Sequence, residues 1–151
     1  MKIAIGSDHA GVEQKSAIIR LLQEMGIEPF DCGCFSADSV DYPDIAEAVA
    51  AQVLETGTPG IILCGTGIGI SIAANKIPGI RAALCSDPYS AEMSRRHNDA
   101  NVLALGARVL DLPSIEAIVR AFLSAEFEGG RHQRRVDKIN AIEKKYCERC
   151  C

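Results

Sequence analysis

The sequence predicts an α/β fold: a three-layer αβα sandwich around a five-stranded parallel sheet, with one extra C-terminal helix. Three observations predict it. Short β-rich runs alternate with longer helical patterns five times along 151 residues. The runs are almost continuously apolar, as in Gly-Ile-Ile-Leu-Cys at 60–64 and Val-Leu-Ala-Leu at 102–105, which suits strands covered on both faces. Glycine and proline fall at the unit boundaries, where helices stop and start.

The first unit joins a strand over 2–6 to a helix over 11–25, stopped by Gly26. The second joins 27–31 to 43–55, with Pro43 where a first-turn proline is tolerated. A strand over 60–64 leads into a helix over 67–75, and one over 81–85 into a helix over 88–96 that Pro88 opens. The fifth unit joins 101–105 to 113–124, with Pro113 in its first turn. Glu128, Gly129 and Gly130 then break the rhythm, and 131–146 reads as a charged helix with Val136, Ile139, Ile142 and Tyr146 on one stripe. That stripe is available either to its own domain or to a neighbouring chain. No repeat or linker divides the chain, so one Rossmann-like domain is expected over 1–151, with the C-terminal helix and tail from about 131.

A composition 48% hydrophobic and 24% charged belongs to a globular chain, and this length buries a core without disulfides or metal. A net charge of -4 supplies no global field for nucleic acid or anionic lipid, so an anion site has to be built locally. The apolar N-terminal run lacks a basic leader, and the run over 60–74 is cut by glycines and is too short to span a bilayer. A cytoplasmic protein without membrane contact is expected. Seven cysteines, an odd count, then read as thiols.

In open α/β sheets ligands bind beyond the carboxyl ends of the strands. The residues there are polar: Ser7, Asp8 and His9 after the first strand, Cys64, Gly65, Thr66 and Gly67 after the third, Arg108 after the fifth, with His97 and Asn98 closing the fourth helix. Singly, Asp8 reads as a helix cap, His97 as a helix C-terminal cation and Cys64 as a small buried filler. Together they are expected to converge on one rim.

The loop from Cys64 to Ser71 fits no nucleotide motif. Its glycines are Gly65, Gly67 and Gly69, with Ile70 where a dinucleotide fingerprint needs the third glycine, and no Gly-Lys pair forms a P-loop. Nothing basic lies between Gly65 and Asn75 to hold a phosphoryl group for a cysteine phosphatase. What remains is a thiol beside backbone N–H groups at a helix N-terminus, a setting that binds anions and favours a thiolate. Such a thiolate serves as a base while the N–H groups stabilise an oxyanion. Farther on, Arg131 and Arg135 are spaced i, i+4 and share a helix face able to clamp a phosphate.

These segments resemble the type B ribose-5-phosphate isomerases, in the family that includes the galactose-6-phosphate isomerase subunits and allose-6-phosphate isomerase. The resemblance runs through about Glu143. It rests on Gly6-Ser7-Asp8-His9-Ala10-Gly11, Asp41-Tyr42-Pro43, Cys64-Gly65-Thr66-Gly67-Ile68-Gly69-Ile70-Ser71, Arg95-Arg96-His97-Asn98-Asp99 and Glu128-Gly129-Gly130-Arg131-His132-Gln133-Arg134-Arg135-Val136. It implies interconversion of D-ribose 5-phosphate and D-ribulose 5-phosphate through a cis-enediolate, without metal or other cofactor. A homodimer or dimer-based tetramer, with the site shared across its interface, is implied too.

By that resemblance Cys64 is the base, His97 opens the furanose ring, and Thr66 joins the catalytic set. Asp8, His9 and Tyr42 contact substrate, and Gly65, Gly67, Ile68 and Gly69 hold the enediolate oxygens. Asn98 and Arg108 add contacts, while Arg131 and Arg135 hold the phosphate. Where one branch of the family carries a glutamate base, this chain has Ile70. Isomerisation of allose or galactose 6-phosphate is the nearest alternative, and a non-catalytic phosphosugar-binding module stands against both. Cys147 and Cys150 motivate a redox dithiol reading and, with Cys32 and Cys34, a weak zinc reading.

Overall fold

The structure, a computed structural model, describes residues 1–36 and 38–147. Five parallel strands, β1 (Lys2–Ser7), β2 (Glu28–Asp31), β3 (Gly60–Cys64), β4 (Ala82–Leu84) and β5 (Val102–Gly106), form one sheet in the order β2-β1-β3-β5-β4. Among the described residues the helices are α1 (Val12–Glu24), α2 (Tyr42–Thr56), α3 (Ile68–Ala74), α4 (Pro88–Asn98), α5 (Leu112–Ser124) and α6 (Arg131–Cys147), with a 3-10 turn at His9–Gly11. The α/β three-layer arrangement is the expected one.

Alternation along the central strands sorts side chains between the two layers. Ile3, Ile5, Ile61, Leu63, Leu103 and Leu105 pack with Ile18 and Leu22 of α1, Ala91 of α4 and Ile115, Ile118 and Phe122 of α5. Ala4, Ile62, Cys64, Val102 and Ala104 face Val49 and Val53 of α2 and Ile70 of α3. The thiol therefore ends a fully buried strand on the α2/α3 face. The chain leaves β1 for β2 on one side and reaches β3 on the other, so a crevice opens above β1 and β3.

β4 is shorter than the expected 81–85. Cys85 has left the strand, although its amide still reaches the Ala104 carbonyl at 3.2 Å. Two residues on, the Asp87 side chain accepts from the Ser90 amide at 2.8 Å and starts α4. The expected stripe on α6 is buried at one of its four residues. Val136 is 3% exposed, whereas Ile139, Ile142 and Tyr146 are 44%, 59% and 54% exposed. Between that end of α6 and the edge strand β4 lies a groove of about 940 Å³.

Among the described residues no helix is long and apolar enough to cross a membrane. Cys32, Cys34, Cys64, Cys85 and Cys147 are free thiols. Cys150, which the redox dithiol reading pairs with Cys147 and on which part of the zinc reading falls, lies outside the described residues, as does Cys151.

Candidate active site

The carboxyl end of the sheet carries most of the expected residues. Cys64 is 5% exposed, and its sulfur accepts the Gly67 amide at 3.1 Å. This bond requires the chain to double back within three residues, which Gly67 does at φ 76°. A methyl on Gly67 would sit 2.8 Å from the Leu105 carbonyl carbon, and one on Gly69 would sit 2.7 Å from the Tyr42 ring. The glycines thus serve two ends: a left-handed turn around the sulfur, and room for Tyr42 from the start of α2. Thr66, exposed at the loop tip, accepts the Ile68 amide on its hydroxyl at 3.3 Å. The Arg108 side chain reaches over Gly65, to within 3.6 Å of where a Cβ would stand.

Asp8 accepts the Ala10 amide at 2.9 Å and starts the turn that carries His9. It is a cap, as one reading of it had it, and it is also 6% exposed at the crevice. His9 Nδ1 and Ser7 Oγ are buried beside it and have no protein hydrogen-bond partner. Beneath them Lys15, 2% exposed, binds Asp31 at 2.7 Å and the Cys34 carbonyl at 2.6 Å, which ties the loop after β2 to α1.

His97 and Asn98 are not on this rim, and the expectation that they converge with Cys64 in one chain is corrected here. Each helix after a parallel strand runs back toward the strand's start, so the last turn of α4 returns to the amino end of the sheet. There the Asn98 carbonyl accepts from Arg81 Nε at 3.1 Å, just before β4, and Ala100 leads into β5. A five-residue strand at about 3.3 Å per residue separates the two ends by roughly 15 Å. Arg131 starts α6 and Arg135 follows one turn later, both exposed and on the His97 side.

Around His97 a second polar cluster is assembled. Its ring lies parallel to that of His132, centroids 4.1 Å apart and planes within 5°. Glu128 stands 3.9 Å from His97 Nε2 and 3.6 Å from His132 Nε2. Its other oxygen accepts from Arg96 Nε at 2.7 Å, and its backbone amide donates to the Arg96 carbonyl at 3.0 Å. The Arg96 hydrogen bond holds the Glu128 carboxyl below its usual range. Burial, followed by the charges of His97 and Arg131, pushes the His132 imidazole down.

Sequence reasoning gave no role to Glu128 or His132, although their i, i+4 spacing was visible. The three donor atoms of His97, Glu128 and His132 lie within 4.8 Å of one another. Parallel rings send their in-plane lone pairs along parallel planes, and Arg96 already holds Glu128, so this set suits proton handling better than a cation.

The chemistry is therefore divided: a thiol in an N–H-lined loop at one end, and imidazoles with arginines at the other. A model of the Ribose/Galactose Isomerase family matches residues 3–139. The chain is 53% identical over 145 residues to ribose-5-phosphate isomerase B of Escherichia coli (strain K12), covering 95% of this chain and 97% of that one. The solved ribose-5-phosphate isomerase B of Clostridium thermocellum superimposes with a TM-score of 0.94 at 56% identity, over 97% of this chain and 99% of that one. The Trypanosoma brucei type B enzyme gives a TM-score of 0.90 at 48% identity, over 93% and 97%.

Proposed function

This chain belongs to the ribose/galactose isomerase family and is a sugar-phosphate isomerase, and we propose that it interconverts D-ribose 5-phosphate and D-ribulose 5-phosphate through a cis-enediolate with Cys64 as the base. The observation that carries this reading is the Cys64 sulfur accepting the Gly67 amide at 3.1 Å inside a loop of backbone N–H groups. Backbone N–H donors beside the sulfur favour oxygen charge that develops next to it.

Ring opening comes first. His97 relays the proton of the anomeric hydroxyl to the ring oxygen; the bond from C1 to that oxygen breaks and the C1 aldehyde forms. Cys64 thiolate then takes the C2 proton, leaving an enediolate held by the Gly65 to Gly69 amides, with Thr66 beside them. The Cys64 thiol returns its proton to C1 and the 2-hydroxyl proton passes to the oxygen on C1, which leaves the C1 alcohol and the C2 ketone; no electron acceptor is needed. Arg131 and Arg135 hold the phosphate, with Asp8, His9, Tyr42, Asn98 and Arg108 contacting the sugar. Binding energy at the phosphate orients the reacting carbons.

The two clusters act together only if a second copy brings its His97 and arginines to the Cys64 rim. The exposed apolar residues Ile68, Ile72, Leu84, Ile139, Ile142 and Tyr146 support such a partner. A two-fold contact generates two equivalent composite sites, so a homodimer, alone or within a tetramer, is the functional unit.

Turnover of ribose 5-phosphate by the purified protein in excess EDTA, with Cys64→Ala in parallel, tests the assignment. Metal-free turnover that disappears in the variant is expected. An active Cys64→Ala protein would remove the thiol from the reaction. An inert wild type that turns over allose or galactose 6-phosphate would replace the pentose.

A further inference from the structure

The stacked pair at the end of α4 has a more specific geometry than a ring-opening histidine requires. A histidine closing a helix, with its side chain 34% exposed, has several rotamers open to it. Here the buried His132 ring, 7% exposed, lies flat against it. His132 is itself fixed by its position in the first turn of α6, where its amide donates to the Gly129 carbonyl at 2.9 Å. Glu128, four residues earlier, faces the Nε2 atoms of both rings and is locked to α4 by Arg96, which Glu92 braces in turn at 2.7 Å.

We propose that His132 and Glu128 are positioning residues for His97: the His132 ring sets the plane of the His97 imidazole, and the Glu128 carboxylate, braced by Arg96, supports positive charge on it during ring opening. This rests on the reading of His97 as the ring-opening group. The groups facing the pair are Arg96 from α4, Glu128 from the preceding loop, and Arg131 and Arg135 from α6. Burial, followed by the charges of His97 and Arg131, lowers the His132 imidazole, which favours its neutral form against the His97 ring. Neither residue needs to touch the substrate.

Ribulose 5-phosphate provides the means of separating this role from the proton transfer at carbon. Its 5-hydroxyl is esterified, so it closes no furanose ring and enters as the open chain. Exchange of its C1 hydrogen in D2O requires Cys64 but no ring opening. In His132→Ala, kcat on ribose 5-phosphate should fall roughly 10- to 100-fold, as for a displaced catalytic group. KM should stay within about threefold, because the phosphate and sugar contacts remain. C1 exchange should be little changed, and His132→Phe, which restores a flat ring, should recover most of the lost turnover. Glu128→Gln should show the same split between turnover and exchange.

Equal losses in turnover and exchange, or no recovery in His132→Phe, would overturn the inference. His132→Phe and Glu128→Gln keep the test open if His132→Ala does not fold. A wild type inert toward both sugars would instead defeat the substrate reading. The coupling would still be readable by imidazole NMR, which the chain's three histidines keep simple. His97→Asn should raise the His132 titration midpoint, since His97 contributes to its depression; an unmoved midpoint would overturn the pairing.

Discussion

The setting of Cys64 depends on the residue three places on. Its sulfur accepts the Gly67 amide, and this geometry depends on a glycine held at φ 76°. Gly67→Ala should therefore destabilise the protein by ~1–3 kcal/mol, the scale of a residue forced into left-handed backbone; denaturant unfolding measures this. Cys64→Ala removes only the sulfur from a well-packed site, so the protein should fold, bind phosphosugar within a few-fold of wild type, and lose roughly 1000-fold or more in kcat. Calorimetric binding beside the turnover assay separates those effects. The thiol, Asp8 and the glycine loop were legible in the sequence because strand ends announce themselves by a switch from apolar to polar residues. The role of Gly69 was not, because it depends on Tyr42 arriving from α2.

At the scale of the elements, α4 matters most, since it carries His97 away from the thiol. Its start is fixed by Asp87, whose carboxyl lies below its usual range chiefly because it accepts the Ser90 backbone amide, with the Ser90 hydroxyl adding to this. A depressed carboxyl stabilises the fold above its unfolded titration range and loses that contribution as pH falls through the folded one. Asp87→Ala should lower Tm by a few degrees at neutral pH, and the difference should shrink below about pH 4; thermal scans of both proteins across that range measure it. The βα rhythm was legible because each central strand is apolar on both faces. The station of His97 was harder to read, because a residue at a helix end belongs to the opposite end of the sheet from the strand before it.

For the whole molecule, the proposed reaction requires that two clusters roughly 15 Å apart become one site. The apolar stripe of α6 was legible as a helical period, but its partner was not, since the sequence does not say which surface covers Ile139, Ile142 and Tyr146. Ile142→Asp should shift the protein toward monomer by sedimentation and remove most of its activity, although every catalytic group is intact. A more direct measurement mixes Cys64→Ala with His97→Asn after dissociation and reassembly. Random pairing makes half the dimers hybrid, and each hybrid carries one intact composite site, so activity on ribose 5-phosphate should return to roughly a quarter of wild type. A mixture no more active than its two components would mean that Cys64 and His97 do not meet across an interface, and would contradict the account.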